Sequence, residues 1–163
     1  METTTSATTQ LISKDQLLTH WLGHRKLTRK VLEAFPEKEL FEFSIGGMRP
    51  FAKIIKELLA MAAPTAKGLA TGTWETLDEE KVELTTKNEL LNSWDESTQK
   101  IEKYWKDISM DEFQRPIVAF GQFEGTGYST LFYIIDNEIH HRGQGFVYLR
   151  ALGLTPPNFW EQY

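Results

Sequence analysis

Four side chains able to donate, accept or coordinate fall on one line near the end of the sequence: Asn137, His141, Gln144 and Tyr148. Their spacing of i, i+4, i+7 and i+11 makes them a single narrow stripe if the segment is helical. Leu131, Ile134, Ile135, Ile139, Phe146 and Leu149 make that helix apolar over most of its circumference, so it is expected to be buried among neighbours. Burying an unpaired amide or imidazole costs on the order of 1 to 3 kcal/mol, so each member of the stripe needs a side chain, a water or a metal as partner. The stripe marks a polar site centred on His141.

Other residues with chemical capacity lie nearby or compete with it. Glu138 and Arg142 stand at i, i+4 in the orientation that stabilises a helix, which predicts a structural ion pair. His140 points some 100° away from His141, on the side of Tyr133 and Val147, and is expected to be satisfied or partly exposed. His20 and His24 are also four apart, a spacing that lets two imidazoles share a metal. His24 falls with Leu17, Val31 and Phe35 on an inward face, either as a hydrogen-bonded core histidine or as a third member of the His141 site, while His20 is expected to face solvent. Trp21, Trp94 and Trp105 sit at helical spacing and read as core rather than as an aromatic cage.

The elements that must position these groups are long helices. Met1 to Thr9 is rich in Thr and Ser without apolar periodicity, so the first twelve residues are expected to be a flexible lead-in. After Ser13, Leu17, Trp21, His24, Leu27, Val31 and Phe35 line one face of a helix ending near Pro36. Gly46, Gly47 and Pro50 turn the chain into a second helix with the stripe Phe51, Ile54, Ile55, Leu58 and Ala62, a pattern that loosens at Pro64 and from Gly68 to Thr73. A third helix is predicted from about Thr85 to Trp105, carrying Leu90, Leu91, Trp94, Ile101 and Tyr104. Ile117 to Phe120 followed by three glycines suggests a short extended segment or small hairpin, and a fourth helix runs from about Ser129 to Leu152, stopping at Gly153. The result is a single all-α domain, a bundle of four main helices with that hairpin before the last one.

Composition narrows the function classes. The 163 residues suit a single domain, and a 40% hydrophobic, 25% charged chain is ordinary for a globular protein. A formal net charge of −5 opposes binding to nucleic acid or anionic lipid, which runs on clustered Lys and Arg. No apolar run approaches the roughly 20 residues of a membrane span, and the polar start lacks the regions of a signal peptide, so the expected location is the cytoplasm. With no cysteine there is no thiolate nucleophile and no Cys-ligated zinc, and any metal relies on His, Asp, Glu, Asn or water. Walker, dinucleotide-binding, Gly-x-Ser-x-Gly and His-Glu-x-x-His motifs are all lacking.

The run Asp136-Asn137-Glu138-Ile139-His140-His141-Arg142-Gly143-Gln144, continuing through Val147-Tyr148-Leu149-Arg150 to Gly153, resembles the last-helix signature of the DinB/YfiT-like superfamily. Gly47-Met48-Arg49-Pro50-Phe51 is similar to the segment that opens that family's second helix. The resemblance implies the family's four-helix-bundle topology, often as a homodimer. It also implies a divalent metal, commonly zinc or nickel, held by one histidine of the second helix and two of the last at i and i+4. Here the later histidine matches His141, the earlier falls on Asn137, and the second-helix position falls on Glu57.

A neutral asparagine amide is a poor zinc ligand and suits harder cations better. Two outcomes therefore stay open. In one, His141 and Glu57, with Asn137 or His24, hold zinc, nickel or manganese in a metal-dependent enzyme of thiol S-transferase or hydrolase type. Gln144 or Tyr148 would then orient a small-molecule substrate, or Glu57 would act as general base if the metal were absent and burial raised its pKa. In the other, Glu57 accepts a hydrogen bond from His141 in a non-catalytic protein that binds a small ligand or serves as a structural dimer. Glu57 also borders the stripe beside Ile54 and Met61, where a surface glutamate would be ordinary.

Overall fold

The computed structural model describes residues 11–78 and 83–162; most of the expected flexible lead-in, Met1 to Gln10, lies outside them. Four long helices dominate: α1 (Lys14–Ala34), α3 (Phe51–Thr71), α4 (Lys87–Trp105) and α6 (Gly127–Ala151). Two short helices, α2 (Glu37–Glu42) and α5 (Met110–Gln114), fill connections, and β1 (Pro116–Ala119) pairs antiparallel with β2 (Phe123–Thr126). The predicted all-α bundle with a hairpin before its last helix is the observed architecture. Among the described residues, no helix is long and apolar enough to cross a membrane.

Local sequence explains the boundaries. α1, α4 and α6 each open on a hydroxyl that accepts from the backbone three residues on, with that third residue answering back: Ser13 with Gln16, Thr86 with Glu89, Thr126 with Ser129. α3 follows Pro50, which has no N–H to leave unpaired. The sequence pattern underestimates α3, which continues through Pro64 for two more turns. The interior proline costs on the order of 3 kcal/mol relative to alanine. Burial of Met61, Ala62, Ala63, Ala66 and Leu69 outweighs it. Gly68 is not a breaker but a contact, because a Cβ there would stand 2.6 Å from the Trp74 ring. Gly145 plays the same part on α6, where a Cβ would come within 2.5 Å of the Phe51 ring.

α1 packs against α4 and α6, and α3 packs against the same two. The core has two apolar halves, one holding Trp21, Leu69, Trp105 and Ile134, the other Phe35, Phe51, Trp94 and Leu149. α1 and α6 run from the first half to the second, and α3 and α4 run back. Two consecutive parallel helices need a connection that returns the length of the bundle, about 30 Å for a helix of 21 residues. Trp74 and Leu77, after α3, lie against the first half, and Leu84, before α4, lies against the second.

Between the two halves lies a polar layer. Buried Arg25 sets its guanidinium 4.0 Å from the centroid of the Trp94 ring and donates to Thr98 Oγ1 and the Trp94 carbonyl. Its Nη1 lies 3.6 Å from Glu138, which also accepts from Thr28 at 2.6 Å. Arg142 donates to the His24 carbonyl at 3.2 Å and to Thr28 at 3.4 Å. The expected pair of Glu138 with Arg142 is therefore relayed through Thr28, and the carboxylate's ion-pair partner is Arg25 from α1. Deep burial raises the Glu138 pKa, with Arg25 opposing it.

Candidate functional site

α6 presents two polar faces about 100° apart. Glu138 and Arg142 enter the layer just described, while Asn137 and His141 turn toward α3 and meet Glu57, with Gln144 behind His141. His141 and Glu57 are both buried, although neither lies in an apolar half of the core. His141 Nε2 stands 3.1 Å from Glu57 Oε1, and His141 Nδ1 stands 2.7 Å from Gln144 Oε1. As placed, both partner atoms are oxygens, the arrangement that an imidazolium satisfies by donating from both ring nitrogens. Glu57 raises the His141 pKa, burial works against it, and Gln144 adds to the rise.

Glu57 is the hub. Its Oε1 also accepts from Asn137 Nδ2 at 3.2 Å, and its Oε2 is paired with the Arg49 guanidinium. The carboxyl is pushed down to about 2, first by His141, against desolvation, with Arg49 and Asn137 assisting. The condition set for Glu57 as a general base, a pKa raised by burial, is not met, because its three donors outweigh the burial. Arg49 had no assigned role in the sequence. It lies before α3 and eight residues from Glu57, outside any helical spacing that would link the two.

The remaining site residues divide. Gln144 reaches His141, as its place on the stripe implies. Tyr148 is fully buried and donates to the Arg49 carbonyl at 2.9 Å, so it anchors the segment that presents Arg49 rather than facing a ligand. His24 does not join the group. Its Nδ1 accepts from Arg142 at 3.1 Å, which leaves the proton of the neutral ring on Nε2, directed at His20 Nε2 3.2 Å away. Burial first, then Arg142 and His20, lower its pKa to about 4, so at neutral pH its outward nitrogen is a donor with no lone pair for a metal. His20 and His140 are exposed, as expected.

This donor set does not fit a divalent metal as arranged. His141 Nε2 is engaged by Glu57, Asn137 turns its amide nitrogen inward, and the Arg49 guanidinium already occupies the second carboxylate oxygen. Among the described residues, no three His, Asp or Glu side chains converge as a ligand group. Arg49 sets a positive charge on the carboxylate oxygen that a metal would otherwise take.

Comparison with known proteins matches this architecture. The uncharacterised protein YjoA of Bacillus subtilis (strain 168) is 26% identical, over 93% of this chain and 99% of its own length. The crystal structure of YjoA, described as DinB-like, superposes with a TM-score of 0.71 over 91% of this chain and 99% of that one, at 22% identity. A DinB-like protein of Bacillus cereus ATCC 10987 gives 0.72 at 18% identity, covering 88% of this chain and 95% of that one. A mycothiol-dependent maleylpyruvate isomerase shares the fold at a TM-score of 0.67 and 13% identity, over 82% of this chain and 60% of its own. The DinB family model matches residues 1–162, and with the bundle in agreement the chain belongs to the DinB family.

Proposed function

We propose that this protein is a small-molecule-binding member of the DinB family whose polar centre works without a bound metal, as an ion pair of Glu57 and His141. One observation carries the reading: both oxygens of the Glu57 carboxylate are taken, by Arg49 on one side and by Asn137 and His141 on the other. Such a carboxylate is a fixed counter-charge. It holds His141 protonated, so the imidazolium is the group able to release a proton to a ligand, while Glu57 remains ionised. Nuclear magnetic resonance of the His141 ring nitrogens tests the pairing. The reading requires both nitrogens protonated above pH 6.5, and a Glu57→Gln substitution must bring the titration back toward the ordinary value. A ring already neutral at that pH would sink it.

A metal-dependent transferase or hydrolase is the second reading, favoured by the hydrogen bond from His141 Nδ1 to Gln144. That bond is the outer-shell support a metal-bound histidine commonly has. It requires Arg49 to leave Glu57 and His141 to lose a proton. Stoichiometric metal that disappears in His141→Ala would support this reading over the first.

A further inference from the structure

Separated from the Glu57 group by Met61, a cavity of about 300 Å³ opens between α3, the hairpin and the first half of α6. Buried Met61, Phe120 and Ile134 form its floor, while Phe123, Glu124 and Tyr133 stand exposed at its rim. Three aromatic rings therefore share one small space with a carboxylate. Glu124 is the sole charged side chain on the lining, and among the described residues no Lys, Arg or His pairs with it.

The floor is held by a turn that its residues do not favour. The Gln122 N–H donates to the Ala119 carbonyl at 3.1 Å across Phe120 and Gly121, both at positive φ, 54° and 70°. Turns of that form ordinarily take Asn or Gly in the first place, because a bulky side chain is strained there. Phe120 occupies it nonetheless. Its ring is buried edge-on to Trp74, at 5.4 Å between centroids, and Trp74 in turn rests on Gly68. Strain of this kind persists where the surroundings enforce it, as they do at ligand clamps.

The lining selects the chemistry of an occupant. Aromatic faces are negative and attract a cation, and a carboxylate without a counter-charge does the same. An anion would meet Glu124 with no cation to offset it. A space of this size sits at the small end of ligand pockets, enough for one ring and a short chain. We infer that the cavity binds a small organic cation, an arylalkyl ammonium whose apolar body lies on Met61, Phe120 and Ile134 and whose charge stays at the rim against Glu124, Phe123 and Tyr133. The inference rests on the small-molecule part of the reading above and not on the Glu57 pair, so it stands whether or not that pair gives way to a metal.

The test is titration of phenethylammonium, neutral phenylethanol and phenylpropionate into the full chain with chelator present, followed through the Met61 methyl and Tyr133 ring resonances. Saturable binding is expected in the order ammonium, alcohol, carboxylate. The ammonium should lead the alcohol by about three- to tenfold, the scale of one exposed ion pair and one ring face. Glu124→Gln should erase that lead and leave the alcohol unchanged, and Glu124→Lys should place the carboxylate first. Glu102→Gln, the same loss of charge at an exposed position on α4, should change none of them. Thr130→Trp, which fills the cavity from a half-buried position, should weaken ammonium and alcohol alike, on the order of tenfold or more. No binding of the ammonium, a lead that survives Glu124→Gln, or binding untouched by Thr130→Trp overturns the inference. Each of those results leaves the protonation of His141 to be judged by its own ring titration, so the two readings fail separately.

Discussion

Glu57 is held by three donors, Arg49 ahead of α3 and Asn137 and His141 on α6, and its properties follow from that. Because its pKa is lowered to about 2, its contribution to stability is present above the ordinary carboxyl value of 4.5 and lost as pH falls toward 2. The His141 pKa is raised, so its contribution is complete below 6.5 and lost as pH rises through the folded value. The pair therefore stabilises most between about 4.5 and 6.5. The difference in thermal midpoint between wild type and Glu57→Gln should be greatest in that window and shrink on either side. His24 behaves oppositely. Its pKa is lowered to about 4, so folding keeps it neutral, and stability falls as pH drops from 6.5 through 4. His24→Gln should flatten that acid limb in thermal melts recorded across the range; an unchanged limb would show that His24 is not the titrating group.

The elements carry these residues through close approaches as much as through apolar stripes. Gly68→Ala would drive a methyl into Trp74 and so disturb the support of Phe120. Urea denaturation should show a loss on the order of 1–3 kcal/mol, the usual effect of overpacking. The sequence made the long helices legible because their apolar residues recur at helical spacing and their starts carry capping residues. It concealed the continuation of α3, since Pro64 and Gly68 look like breakers until the packing around them is known. It concealed Arg49 for a related reason, as the contact is made by a segment before a helix, where no periodicity applies. The stripe Asn137, His141 and Gln144 was legible as one face. That Tyr148 drops beneath the site and His24 turns to Arg142 depends on how α6 is rotated between α1 and α3.

The whole bundle is divided by its polar layer. Arg25 and Glu138 are buried together, and taking two charges out of water is repaid only while both remain. Glu138→Ala should destabilise the protein by about 3–5 kcal/mol in equilibrium unfolding, because Arg25 is left without its counter-charge. A loss below about 1 kcal/mol would mean that the layer is solvated in solution. The same layer lies against the Glu57 group, so α6 brings two separate charge systems through the core on adjacent faces. In one of them, on the reading proposed above, an internal ion pair stands where the family resemblance implies a metal.

That proposed exchange of a metal for an ion pair is tested most directly by offering the metal. Tag-free protein is equilibrated with zinc, nickel and manganese in turn, desalted and analysed for metal, beside His141→Ala. The account predicts well below one equivalent of any of them in the wild type and no difference in the variant. One equivalent in the wild type, lost in His141→Ala, would contradict it.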